Sequence, residues 1–145
     1  MQMTDTKLTA EDRIEIHELL ARRGYASDTE DVAAWVDTFT ADGVLEQPPV
    51  ELDLPGGASE MPSTVEGADA LTAFLTGSLP NIKGLRHVIT NITTDPTADG
   101  AIARSAFHVL DTGRSMTVVT GRYTDTLRRT DIGWKTAHLK VEMDG

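Results

Sequence analysis

Residues 14–39, IEIHELLARRGYASDTEDVAAWVDTF, decide how the rest of the chain is read. At about 100° per residue, His17, Ala21, Gly24, Tyr25 and Asp28 fall on one helical stripe, spaced i, i+4, i+7, i+8 and i+11. That stripe is polar where a plain amphipathic helix is apolar. Ile14, Ile16, Leu19, Leu20 and Ala26 beside it supply an apolar face, so the helix can pack while presenting an imidazole, a phenol and a carboxylate together. The expectation is a pocket lined by His17, Tyr25 and Asp28. Upstream, Thr9 and Asp12 make a shortened capping box, with Glu11 and Asp12 favouring the positive helix end, and the helix should run to about Ser27. Asp28 or Thr29 can cap a second helix in which Val32, Trp35, Val36 and Phe39 stand at i, i+3, i+4 and i+7.

Beyond this stretch, Asp42-Gly43 reads as a turn and residues 44–46 as a short strand. The four prolines and Gly56-Gly57 between positions 47 and 66 argue for a long loop without regular structure. Residues 67–79 read as a third helix with Leu71, Phe74 and Leu75 on one side and Pro80 closing it. From there the period changes to two. Strands are expected over 87–94, 101–111, 116–128 and 134–142, joined by turns at Asp95-Pro96 with Asp99-Gly100, at Thr112-Gly113 and at Asp131-Ile132-Gly133. In the last strand Ala137, Leu139 and Val141 form the apolar face, with His138 beside Trp134, Thr136 and Lys140 on the other. Residues 1–8 are polar and should fray. The order of elements predicts a single α+β domain over 1–145: a curved antiparallel sheet with three helices packed on one face, leaving a pocket at its open mouth.

Composition narrows the function. One domain of 145 residues, 39% hydrophobic and 25% charged, is an ordinary globular chain. A net charge of -10 from 23 acidic and 13 basic residues repels phosphate backbones and anionic lipids, which argues against nucleic acid and membrane partners. No cysteine occurs, so disulfides, thiolate metal sites and thiol nucleophiles are excluded. With neither a secretory apolar region nor a membrane-spanning run, a cytoplasmic protein is expected. Four scattered histidines offer no metal-ligand spacing, no Gly-x-Ser-x-Gly elbow is present, and no Gly-rich loop follows a strand. The expectation is therefore chemistry without a metal or cofactor.

Three further segments, Ala26-Ser27-Asp28, Leu85-Arg86-His87-Val88-Ile89-Thr90-Asn91-Ile92, and Thr120-Gly121-Arg122-Tyr123-Thr124-Asp125 with Gly133-Trp134 downstream, carry a resemblance covering nearly the whole chain. The sequence resembles the SnoaL-like group of the nuclear-transport-factor-2-like superfamily, the cone-shaped α+β fold shared with scytalone dehydratase and ketosteroid isomerase. The resemblance implies that Asp28 and His87 face one cavity as catalytic carboxylate and histidine. It implies a further polar group downstream, for which the chain offers His108 and Asp111, and a pocket-lining Tyr123. Strand alternation puts His108 and Asp111 on opposite faces, so at most one of them looks inward unless a bulge intervenes. The tyrosine that family members often carry five residues before the aspartate is Arg23 here, and Tyr25 lies three before it.

An Asp–His pair suits proton transfer, because imidazole titrates near neutrality and a carboxylate orients the ring and steadies its charged form. The competing reading of His87 is a strand-end histidine bonded to backbone; that of Asp28 is a helix N-cap. Tyr25 and Tyr123 could each donate to an enolate oxygen or sit at the edge of the core. His17, between Glu15 and Glu18, competes with a plain surface position. Two functions follow. The first is a cofactor-independent acid–base enzyme on a small hydrophobic carbonyl compound, a dehydratase, isomerase or cyclase, with His87, Asp28 and His108 catalytic and Tyr25, Tyr123, Asp111 and His17 binding substrate. The second is a non-catalytic binding or oligomerisation module of the same fold. Either should form a homodimer or homotrimer.

Overall fold

A computed structural model describes residues 7–48, 51–54, 57–60 and 63–144; most of the segment expected to fray, residues 1–6, lies outside them. Helix α1 (Ala10–Asp28) starts where the capping residues place it. The Thr9 hydroxyl accepts the Asp12 amide at 3.0 Å, and the Asp12 carboxylate accepts the Thr9 amide at 2.9 Å, so two first-turn donors are satisfied reciprocally. Helix α2 (Val32–Asp37) is shorter and later than expected. Its cap is Asp31, which accepts from the Ala34 amide at 3.0 Å, rather than Asp28 or Thr29: Asp28 ends α1 and is bonded elsewhere, and Glu30 takes a left-handed φ of 60° between the two helices. Phe39, counted above as the last apolar residue of that helix, opens strand β1 (Phe39–Glu46). The expected turn at Asp42-Gly43 is an irregularity inside this strand, where its register against the last strand shifts.

The proline-rich segment is not a structureless loop. It holds an antiparallel hairpin, β2 (Glu51–Leu54) and β3 (Gly57–Glu60), and then β4 (Thr64–Glu66), which pairs with β1. Helix α3 (Ala68–Ile82) runs through Pro80 to Ile82. The proline sits in the last turn, where a missing N–H costs one terminal bond, and Leu79 and Ile82 still pack against the core.

Strands β5 (Leu85–Pro96), β6 (Gly100–Asp111), β7 (Met116–Thr130) and β8 (Gly133–Met143) form an antiparallel meander. The sheet order is β4-β1-β8-β7-β6-β5, with β1 parallel to β8. Register shifts interrupt the pairing between Thr90 and Thr93, where Asn91 takes a φ of 56°, and between Thr126 and Leu127. Such bulges bend strands, and here the sheet curves around the helices. The second shift leaves Ala137 as the extra residue opposite that step. It carries Trp134 and Thr136 onto the same buried side as Leu139 and Val141, overturning the alternation read from the sequence, and leaves His138 half-exposed within 3.5 Å of Glu46.

The buried side chains form two clusters. One gathers Trp35, Phe39, Leu71, Leu75, Phe107, Leu139 and Val141, and the other Ile16, Leu19, Leu20, Ala101, Ala103, Leu127 and Trp134. Gly121 is required between the strands of the first: a Cβ there would lie 2.1 Å from the Glu142 carbonyl oxygen and 2.8 Å from the Phe107 ring. The ring is thereby free to lie flat on Tyr123, with centroids 4.2 Å apart and planes 10° from parallel. Ile14, assigned above to the apolar face, is 62% exposed.

Polar ties fix the start of α1 on the sheet. Asp12 accepts from Arg129 at 2.7 Å and from the Trp134 indole at 3.2 Å, while Glu15 accepts the Trp134 amide at 2.6 Å. The Thr9 amide, ahead of the bonds from Arg129 and Trp134, holds the Asp12 carboxyl far below its ordinary 3.8. A depressed carboxylate stabilises the fold fully above its unfolded value and loses that contribution as pH falls through its folded value. Thr9→Ala should therefore cost about 1 kcal/mol at neutral pH. Asp12→Asn should flatten the loss of stability below pH 3.8, both read from urea midpoints at neutral and acid pH.

Candidate active site

Between α1, α3 and the concave face of the sheet lies a cavity of about 130 Å³. Its walls are mostly apolar, and α1 contributes Arg23, Gly24 and Ser27 to them. The stripe that meets this cavity is rotated from the one expected, of which Ala21, Gly24, Tyr25 and Asp28 line an outer groove together with His87. His17 and Ala21 are exposed and Tyr25 is 72% exposed; of the expected stripe, Gly24 alone reaches the cavity. The apolar positions Ile16, Leu19, Leu20 and Ala26 set the buried direction, and Arg23 lies on it.

The dyad forms where α1 ends and β5 begins. Asp28 Oδ1 lies 2.7 Å from His87 Nδ1, and the same carboxylate accepts the His87 backbone amide at 3.0 and 3.2 Å. A carboxylate can only accept, so the short contact places a proton on Nδ1, and in the neutral ring Nε2 is then the lone-pair nitrogen. The backbone bond also means that the strand-end reading of His87 and the dyad reading are one arrangement: Asp28 anchors the start of β5 and the imidazole together. Both side chains are largely buried, at 19% and 16% exposure. His87 lines the cavity on one side and an outer groove on the other, and Asp28 lines the groove. His87 therefore forms part of the wall between the cavity and the outer groove.

Tyr123 lines the same cavity. Its hydroxyl has no protein partner among the described residues. Burial pushes the phenol up to about 12, with Arg23 opposing and Asp125 and Asp28 adding to the rise. It therefore stays protonated at neutral pH and is available as a donor.

Sequence reasoning assigned no role to one deeply buried pair of opposite charges. Arg23, 4% exposed, makes a two-pronged pair with Asp125, 0% exposed: Nη1 to Oδ2 at 2.5 Å and Nη2 to Oδ1 at 3.0 Å. Thr136 donates to the same carboxylate at 2.8 Å. The guanidinium lies 5.3 Å from the centre of the Tyr123 ring. Burial alone would lower the Arg23 pKa, but the Asp125 carboxylate outweighs it and holds the group above its ordinary value. A signal existed: Arg23 stands seven residues after Ile16 and four after Leu19, on an apolar stripe, and Asp125 shares an alternating face with Tyr123 and Leu127. Opposite charges at two core-facing positions of one chain imply each other.

Two expected residues stand outside the cavity. His108 lies on the opposite face of β6 from Phe107 and Val109, which line it. Asp111, 4% exposed, accepts from the Gly113 and Arg114 amides at 3.0 and 3.2 Å and from Arg114 Nε, closing the β6–β7 turn. The two do alternate faces as expected, and neither meets His87. Among the described residues no three metal-binding side chains converge.

A cone of helix and curved sheet closed around a pocket defines the class, a cystatin-like or nuclear-transport-factor-2-like α+β domain. Within it the chain belongs to the SnoaL-like family, whose domain model matches residues 8–140. Among proteins with curated functions none matches the chain. A Nostoc punctiforme protein of unknown function with a cystatin-like fold superposes with a TM-score of 0.80 at 26% identity, over 95% of each chain. A Novosphingobium aromaticivorans protein named as a candidate aromatic ring hydroxylase superposes at 0.73 with 28% identity, over 94% of this chain and 92% of that one. A second protein of that organism, named as a candidate scytalone dehydratase, superposes at 0.69 with 19% identity, over 93% and 85%; this last likeness is one of fold.

Removing one member of the buried pair strands the other charge, at a cost of about 3–5 kcal/mol. Asp125→Leu should lose stability on that scale in urea unfolding. Adding Arg23→Met should restore most of it, since an apolar pair of similar volume needs no counter-charge.

Proposed function

We propose that the protein is a cofactor-independent acid–base enzyme acting on a small hydrophobic carbonyl compound. The observation that carries this reading is the 2.7 Å bond from His87 Nδ1 to Asp28, made by a residue that lines the cavity, with Nε2 as the base. Nε2 takes a proton from the carbon next to the substrate carbonyl. The imidazolium formed is steadied by Asp28, and the enolate oxygen accepts from the Tyr123 hydroxyl. The same imidazolium then returns its proton. Given to a departing β-hydroxyl, it completes a dehydration; given to a remote carbon of the enolate, it completes an isomerisation; given to the alkoxide formed when the enolate attacks a second carbonyl, it completes a ring closure. The names of the related structures, a hydroxylase and a dehydratase, agree on the cone and on no single reaction, in keeping with the rule that chemistry resides in the site rather than the fold.

The test is deuterium wash-in from heavy water at the α-carbon of a panel of ketones, followed by NMR. The parent protein should catalyse exchange. His87→Ala should lower it by about 10²–10⁴-fold and Tyr123→Phe by about 10²–10³-fold. Exchange that persists unchanged in His87→Ala would remove His87 as the base, and no exchange by the parent protein with a ketone that it nevertheless binds would remove the enzyme reading and leave a binding module.

A further inference from the structure

The walls of the cavity also limit what can enter it. About 130 Å³ is close to the roughly 150 Å³ of an apolar cavity that admits benzene. The described lining is dominated by Trp35, Phe74, Phe107, Leu139 and Val141, with Tyr123 and His87 among its polar groups. Trp35 and Phe74 are stacked, 6.2 Å between centroids, and Phe107 is held on Tyr123, so the aromatic walls brace one another and do not yield freely.

The electrostatics are as restrictive as the volume. Both basic side chains of the described lining are already matched: Arg23 spends both terminal nitrogens on Asp125, and His87 is bonded to Asp28. A ligand carboxylate would find no unmatched cation and would be buried near the Asp28 and Asp125 carboxylates. A ligand ammonium would have to compete with Arg23 or His87 for carboxylates already bonded.

We infer that the cavity selects an uncharged carbonyl compound with the bulk of one six-membered ring, against fused-ring and carboxylate analogues. The oxygen is received by Tyr123, and the ring by the apolar walls. This specificity deepens the reading of the preceding section, since the ring carries the carbon that His87 would deprotonate. It is nevertheless a statement about binding and can hold whether or not proton transfer follows.

The experiment is a titration of the full chain with cyclohexanone, 1-decalone and cyclohexanecarboxylate, followed by ¹H–¹⁵N NMR shifts of cavity residues. Apolar area alone would make decalone the tighter ligand. The cavity should reverse that order, with cyclohexanone at least about tenfold tighter than decalone and about 100-fold or more tighter than the carboxylate. Phe74→Ala should narrow the gap between the two ketones by opening the wall. Decalone or the carboxylate binding as tightly as cyclohexanone would overturn the inference, as would the absence of any cavity shift with cyclohexanone. If the order holds while deuterium exchange is absent, the selectivity stands and the enzymatic reading falls.

Discussion

The ion pair between Arg23 and Asp125 is the constraint on which the arrangement depends. A guanidinium with 4% exposure is tolerable only against a carboxylate in matching geometry, and that carboxylate is fixed to β7 and bonded to Thr136 of β8. Apolar packing is non-directional and would let α1 slide or roll on the sheet. The pair permits one register. It is supported at the two helix ends, by Asp12 against Arg129 and Trp134, and by Asp28 against His87. Three carboxylates, two on the helix and one on the sheet, thus pin α1 at its beginning, middle and end.

That pinning links fold to site. With α1 held in this roll, its last residue meets the start of β5, and Gly24 and Ser27 are turned to the cavity while Tyr25 goes to the surface. The pair also lies beside Tyr123, where Arg23 opposes the rise in the phenol's pKa and Asp125 adds to it. One buried interaction therefore positions the helix that carries Asp28 and conditions the environment of the phenol.

Much of this was legible in the sequence. The Thr9 cap, the strand periods of 87–94 and 101–111 and the α+β class all stand in the structure, and Asp28 and His87, linked in the sequence only through the family resemblance, lie 2.7 Å apart. The failures have physical causes. The polar stripe on α1 lines the outer groove beside His87, but the face that meets the inner cavity is set by the apolar residues and a buried arginine; an arginine is read as surface until its partner is known, and Asp125 lies 102 residues away. The alternation of β8 was inverted by one bulge at Ala137, a pairing event between strands that no single-strand pattern records. The proline-rich segment was read as a loop because its strands are three or four residues long, too short to show a period. His108 was a candidate by resemblance alone, and the parity of β6 turns it outward.

The central claim is that Asp28 fixes the His87 tautomer so that Nε2 is the free base. Long-range ¹H–¹⁵N NMR of the imidazole measures this directly. The account predicts a neutral ring protonated at Nδ1, with a downfield proton that is lost in Asp28→Asn, and an unprotonated Nε2. A ring protonated at Nε2, or one averaging freely between tautomers as an exposed histidine does, would contradict it.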